Sequence, residues 1–200
     1  MSLLSIRNQF TFYGAYHANA VNVGIHMTCV PLIVWSSYVM GSRLPTPSVF
    51  PNIHFKVNDY LMFDFNWPFL HAVAVFLYYF ILEPIAAILY FPQLVLTVLT
   101  AIAFYHNLDD GFKIGLVVHV VCWLAQFIGH GVYEKRAPAL LDNLIGALVL
   151  APLFVHMELL FMLGYKPTLF KQLQNDIGVE ITKVRKAEGD KKRAAAIKTE

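Results

Sequence analysis

Long apolar windows are the feature of this sequence that most limits how it can fold. The main windows cover residues 23–41, 69–91, 93–105, 114–129 and 144–164. A helix needs about 20 predominantly apolar residues to cross the hydrocarbon core of a bilayer, and most of these windows approach that length. The pattern predicts an all-α fold, a polytopic membrane helical bundle with about four to six membrane segments, some of them short or re-entrant.

The composition agrees with this prediction. Hydrophobic residues make up 58% of the chain and charged residues 14%, whereas soluble domains average about 45–50% and about 25%. Cys29 and Cys122 both fall inside apolar windows, so a disulfide framework of the secreted type is not expected. The first 22 residues contain one basic residue and no continuous apolar core, which does not resemble a cleaved signal peptide.

The chain divides into two predicted regions. Residues 1–164 form a membrane-embedded catalytic helical domain, in which the Pro-rich stretch 42–68 is an irregular loop insertion. Residues 165–200 form a basic tail, with nine Lys or Arg against five Asp or Glu. The tail is expected to be cytosolic and partly helical or disordered.

The topology contains one conflict. If residues 144–164 cross the bilayer, Lys135 and Arg136 lie on the opposite side from the basic tail, which the positive-inside rule disfavours. Either the segment, with Pro152 near its middle, does not span, or Lys135 and Arg136 face the protein for a reason of their own.

The chain has eight histidines, and five of them lie in or beside apolar windows: His26, His71, His119, His130 and His156. Ionisable side chains at membrane depth are costly and usually face a protein interior, where they often mark function. The remaining histidines are less informative. His106 lies in the turn HNLDDG, which we interpret as a solvated loop with a helix cap, and His54 and His71 receive no role.

A polar stripe follows one face of the helix predicted around residue 120. His119 and His130 are eleven residues apart and share a face if the helix is unbroken. Trp123 and Gln126 lie between them, and Glu134 is four residues after His130. The alternative interpretation is that these side chains only form hydrogen bonds between packed helices.

His17 and His26 form a second candidate pair near the amino terminus. Nine residues place them on opposite sides of one straight helix, so they converge only if the chain bends between them. Asn19 and Asn22 provide a place for the bend, because Asn is common in turns and helix caps.

Four histidines from these two regions, His17, His26, His119 and His130, can bring a divalent metal into a helical bundle, because imidazole suits Zn, Cu, Fe and Ni. Glu134 is either a carboxylate ligand or a hydrogen-bond partner that orients His130. The soluble metal motifs HExxH and paired CxxC are absent. A haem-binding membrane protein and a non-catalytic lipid-binding or transport protein remain alternatives.

Two motifs resemble a known family. FYGAYHANAVNVGIH near the amino end and QFIGHGVYE with the nearby PALLDN resemble the endoplasmic-reticulum 2-hydroxy fatty acid dioxygenases of the phytosphingosine and fatty acid α-oxidation pathway. The resemblance runs from about residue 5 to about residue 170 and leaves out the loop 42–68 and the tail.

The resemblance implies Fe(II)-dependent chemistry on a long-chain 2-hydroxy fatty acid with O2, giving a fatty acid one carbon shorter. It implies iron ligation by His17, His26 and His130, with His119 matched more loosely. The implied partners are the fatty acid, O2 and membrane lipid, with no nucleic acid, and the implied location is a multi-pass protein of the endoplasmic reticulum membrane. We expect Glu134 to help build the metal site and Arg136 to orient the substrate carboxylate, because a guanidinium binds carboxylates in two hydrogen bonds.

Overall fold

A computed structural model of the chain describes residues 4–135 and 144–197. The helices are α1 (Ile6–Gly14), α2 (Ala20–Gly41), α3 (Trp67–Leu82), α4 (Pro84–Asn107), α5 (Gly111–Ile128), α6 (Leu144–Met162) and α7 (Pro167–Ile197). A π-helical turn (Gly129–Glu134) continues α5, and a hairpin of strands β1 (His54–Asn58) and β2 (Leu61–Asp64) lies between α2 and α3.

Within the described ranges, three helical segments are long and apolar enough to cross a membrane: α2, α4, and α5 with its π-helical turn. α3 is also apolar but has only 16 residues. A fourth candidate span is the pair α6 and α7, which is bent by 120°. The prediction of an all-α membrane bundle with some short or re-entrant segments is confirmed.

α2 and α5 pack antiparallel along most of their length. Asn22 at the start of α2 lies beside Gly129, while Val39 near the end of α2 lies beside Gly115 at the start of α5. A Cβ at Gly115 would lie 2.9 Å from the Val39 side chain. Glycine at this position therefore lets α2 and α5 approach closely. Small residues are common at such contacts between membrane helices, because van der Waals packing drives their association.

The break between α3 and α4 lies at Glu83 and Pro84, so the window boundary predicted at Pro92 is wrong. Pro92 lies inside α4. Proline suits the first position of a helix and disfavours the helical conformation in the residue before it, and Glu83 is accordingly extended, with φ −153° and ψ 90°. The buried Glu83 carboxylate accepts hydrogen bonds from Lys166 Nζ at 2.7 and 2.9 Å and from the Tyr165 hydroxyl at 3.1 Å.

α6 lies across one end of the bundle. Its Val149 carbonyl accepts a hydrogen bond from the Tyr79 hydroxyl at 2.5 Å, close to the α3–α4 turn. Its Phe154 ring stacks on Tyr13 of α1 at 4.0 Å. After α6, Lys166 returns the chain to Glu83 at the same end. Lys135 and the start of α7 thus lie at one end of the bundle, which removes the topology conflict without a crossing by α6.

The loop 42–68 is more ordered than the irregular connection predicted for it. Proline residues interrupt its outer parts, but polar and apolar residues alternate over residues 54–58, and residues 54–64 form an antiparallel hairpin in which His54 pairs with Asp64. The Asn58 side chain accepts a hydrogen bond from the Tyr60 backbone N–H at 2.8 Å in the connecting turn, a role that Asn commonly has in turns.

α7 occupies the tail region and packs against α1. Arg7 forms two hydrogen bonds with the Asp176 carboxylate, at 2.5 and 2.9 Å, and this ion pair lowers the pKa of Asp176. Ile177 lies so close over Gly14 that an added Cβ would overlap its side chain. The first turns of α7 are therefore attached to the end of the bundle that carries α1.

Candidate metal centre

Three imidazoles from separate parts of the chain meet at the α1 end of the bundle. His17 lies in the link between α1 and α2, His26 in α2, and His130 in the π-helical turn. The ring centroids of His17 and His26 are 4.4 Å apart, those of His17 and His130 4.8 Å, and those of His26 and His130 5.0 Å. One nitrogen from each ring lies within 4.8 Å of the other two.

The bend predicted between His17 and His26 is present. α1 ends at Gly14 and α2 begins at Ala20. Asn19 is the N-cap of α2, and its side-chain oxygen accepts a hydrogen bond from the Val21 N–H at 2.9 Å. The break turns His17 back toward His26, which one continuous helix would have placed on the opposite face.

The hydrogen bonds of the three rings leave nitrogen atoms available to a metal ion. His17 Nδ1 is 2.8 Å from the Tyr13 carbonyl and His26 Nδ1 is 2.9 Å from the Asn22 carbonyl. Because a carbonyl only accepts, each Nδ1 carries the hydrogen and each Nε2 keeps a free lone pair. His130 Nδ1 is buried and has no hydrogen-bond partner among the described residues. A buried nitrogen without a partner is costly unless a ligand uses it.

The environment of His17 keeps its ring neutral. The ring stacks on Tyr13 with centroids 3.7 Å apart. Burial, followed by the neighbouring His26, lowers the pKa of His17 well below its usual value. Because a histidine ligand must be neutral, this imidazole needs no deprotonation before it binds a metal at neutral pH.

Glu134 fixes the start of α2. Its Oε1 accepts hydrogen bonds from the Asn19 backbone N–H at 2.7 Å and from Asn22 Nδ2 at 3.2 Å. A carboxylate at a helix N-terminus is favourable because the backbone N–H groups there are unpaired. The structure therefore places Glu134 beside the elements that carry the histidines, where it joins the π-helical turn to α2.

The π-helical turn brings His130 to the other two rings. Such turns inside α-helices are frequent at functional sites. Gly129 permits this approach, because a Cβ there would overlap Asn22 Oδ1. On the other side of His130, a Cβ at Gly131 would meet no atom of the described residues within 4 Å.

A mostly apolar cavity opens beside the three histidines. The residues that line it include Val30, Ile33, Trp123, Phe127 and Leu148, together with the polar residue Gln126. A metal bound by the histidines would lie at one wall of this cavity. Small-molecule sites typically have this composition, with apolar walls and a few polar groups that fix orientation.

The structure does not bring His119 to this cluster. Trp123 Nε1 donates to His119 Nε2 at 2.9 Å, and His119 Nδ1 lies 3.1 Å from Ser36 Oγ. Both ring nitrogens are therefore occupied. Two residues on one helix face can still lie far apart along the helix axis, and eleven residues separate His119 from His130 by about 16 Å along it. Arg136 lies outside the described residues.

Tyr13 was given no role from the sequence, and Asn22 was assigned only to the bend between His17 and His26. Tyr13 is four residues before His17, and Asn22 is four residues before His26. At this spacing a carbonyl lies within reach of a side chain one turn later. Because both acceptors are backbone carbonyls, which every residue has, the sequence carried no residue-specific signal for these two hydrogen bonds.

The comparisons with known proteins decide the family. Residues 3–163 match the family model described as 2-hydroxy-palmitic acid dioxygenase Mpo1-like. The chain belongs to this family. It is 35% identical over 178 residues to the protein named 2-hydroxy-palmitic acid dioxygenase MPO1 from Saccharomyces cerevisiae, covering 89% of this chain and 92% of the yeast protein. No solved structure matches the chain.

Proposed function

We propose that this protein is an Fe(II)-dependent dioxygenase that uses O2 to convert long-chain 2-hydroxy fatty acids to fatty acids one carbon shorter. The observation that carries the proposal is the group of three imidazoles, two buried and one partly buried, at the wall of an apolar cavity. The name of the yeast relative supports the substrate class.

The donor set fits a divalent iron ion. His17 and His26 would bind through Nε2, while the unpartnered Nδ1 of His130 is the buried atom that a ligand would satisfy. Imidazole ligands suit iron, and three of them leave positions open for substrate. Bound Fe(II) would supply the one-electron chemistry that allows O2 to react with an organic acid.

The proposed reaction is balanced without a further reductant. One 2-hydroxy acid and one O2 give the shortened acid, CO2 and water. The bond between C1 and C2 breaks, C2 is oxidised to a carboxyl group, and O2 is reduced. The alkyl chain would occupy the apolar cavity, where each buried CH2 contributes about 0.8 kcal/mol.

Gln126 is the side chain best placed to orient the substrate head group. Its Nε2 is buried and has no hydrogen-bond partner among the described residues, and Gln126 is one of the residues that line the cavity beside His17. An amide N–H there can donate to the carboxylate or hydroxyl oxygen of the substrate. Arg136, which follows the π-helical turn by two residues, is proposed to guide the entering carboxylate.

Replacing Gln126 with leucine tests this positioning role. We expect Gln126→Leu to raise KM for 2-hydroxypalmitate by about 10- to 100-fold, the equivalent of one lost hydrogen bond to a charged group. Iron content should stay equal to that of the parent protein. An unchanged KM would contradict the role, whereas lost iron would show a structural effect instead.

The location proposed for the enzyme is the endoplasmic reticulum membrane, with the α1 end of the bundle in the cytosol. The tail carries nine Lys or Arg, whereas the hairpin end of the bundle carries Arg43, Lys56 and Lys113. The positive-inside rule then places the tail, including α7, on the cytosolic side. Residues 1–164 would be the membrane-embedded catalytic domain and 165–200 the cytosolic tail.

Product analysis tests the activity directly. Purified protein in detergent, loaded with Fe(II), is given 2-hydroxypalmitate under 18O2, and the products are identified by mass spectrometry. We expect a C15 acid that carries one label, because C2 keeps its own oxygen and gains one from O2. Palmitate, which lacks the 2-hydroxyl group, is the matched substrate and should give no C15 acid.

The same purified protein distinguishes the dioxygenase from a lipid-binding or transport protein and from a haem protein. Folded, iron-loaded protein that binds 2-hydroxypalmitate but gives no C15 acid would favour a lipid-binding or transport protein. A Soret band in the purified protein would indicate haem. The geometry does not favour haem, because the three rings lie in mutual edge contact and leave no slot for a porphyrin between them.

A further inference from the structure

A second group of metal-ligating side chains lies at the opposite end of the bundle. His54 on β1 and Asp64 on β2 face each other as a cross-strand pair, and His106 is in the last turn of α4. Asp64 Oδ1 is 2.5 Å from His54 Nδ1, and Asp64 Oδ2 is 2.6 Å from His106 Nε2. One ligand atom from each residue lies within 4.8 Å of the other two.

The surrounding structure holds these three side chains in place. His54 and Asp64 are fixed relative to each other by strand pairing. The hairpin is in turn joined to α4, because the Asn107 side chain donates a hydrogen bond to the Asp59 carbonyl in the hairpin turn. The three ligands therefore come from β1, β2 and α4, which strand pairing and the Asn107 hydrogen bond hold together.

We propose that His54, Asp64 and His106 bind a divalent transition-metal ion of the Zn²⁺ class. Two imidazoles and a carboxylate form a donor set that such ions prefer. The His54 and His106 side chains are 51% and 38% exposed, and that of Asp64 is 21% exposed. The ion can therefore enter from solvent and complete its coordination with water.

Binding requires only a small rearrangement. Without an ion, the carboxylate bridges two imidazole N–H groups. An ion would replace the two bridging protons, and the nitrogen–oxygen separations would widen to about 3–3.5 Å, as ligand bonds of about 2.0–2.2 Å require. The side chains of an exposed hairpin and a helix end can move by that amount.

The two histidine groups lie at opposite ends of the bundle. His26 is near the start of α2, while the end of α2 lies beside Pro68, just after the hairpin. The 22 residues of α2 span about 33 Å, close to the thickness of a bilayer core. The second ion would therefore join the hairpin to α4, far from the cavity, and the site does not depend on the proposed oxidation.

The test is a Zn²⁺ titration of the full chain, purified in detergent without a histidine tag and stripped of metal. His26→Ala with His130→Ala provides a background in which the first cluster is incomplete. We expect this background to bind one equivalent of Zn²⁺ by calorimetry. Adding Asp64→Asn should weaken that binding by about 100-fold or more, because a charged ligand is lost.

Two further variants make the titration decisive. Asp59→Asn, in the same hairpin, removes a carboxylate that pairs with Lys56 outside the cluster, and it should bind Zn²⁺ like the background. His54→Ala changes a half-exposed strand residue and should lose binding while the hairpin stays folded, as shown by unchanged tryptophan fluorescence, to which Trp67 beside the hairpin contributes. No Zn²⁺ binding in the background, or binding that is independent of both Asp64 and His54, would refute the site.

Discussion

Replacing any one of His17, His26 or His130 with alanine should abolish production of the C15 acid. Even loss of a group that only orients a metal ligand typically costs 10–100-fold in metal affinity or activity, so loss of a ligand should exceed about 100-fold. Iron content, measured on the purified variants by mass spectrometry, should fall in parallel. The three variants should be equivalent, because each leaves two imidazoles in the cluster.

His119→Ala is the matched control for these three variants. Its ring binds Ser36 and Trp123 rather than the cluster, so we expect iron content and product formation close to those of the parent. The substitution should instead lower the free energy of unfolding by about 1–3 kcal/mol, because it leaves the partners of His119 without a hydrogen bond. Loss of iron in His119→Ala would show that the ligand set contains a fourth histidine.

Gly129→Ala should reduce activity strongly although Gly129 has no functional group. The added Cβ would overlap Asn22 Oδ1 and lie 3.4 Å from Ile25 Cδ1. Asn22 is fully buried, and its amide is held by Glu134, so it cannot turn aside without losing that hydrogen bond. The π-helical turn must therefore move away from α2 and carry His130 with it.

We expect Gly129→Ala to lower iron affinity and turnover by about 10- to 100-fold, the range seen when the support of a metal ligand is removed. Gly131→Ala is the matched control, since its Cβ would meet no atom of the described residues within 4 Å, and it should behave like the parent. Equal iron affinity in the two variants would show that the contact between Gly129 and Asn22 does not position His130.

The local sequence pattern was sufficient to predict much of this fold. Apolar windows of spanning length predicted α2 and the membrane character of the bundle, since every backbone group in lipid must be paired within a helix. The cap at Asn19 predicted the break that brings His17 to His26. The same reasoning placed a window boundary at Pro92, which lies inside α4, whereas the helix breaks at Glu83 because Pro84 begins α4.

What the sequence by itself determined is the class of fold, which follows from hydrophobicity, and the family motifs, which follow from the identity and spacing of their residues. Only the tertiary structure decided which histidines meet. Helical geometry relates residues within one segment, so it separates His119 from His130 by about 16 Å along their helix, but it does not say which other segment packs beside either of them. The three imidazoles, and equally the grouping of His54 with Asp64 and His106, are set by contacts between distant segments, which no local pattern encodes.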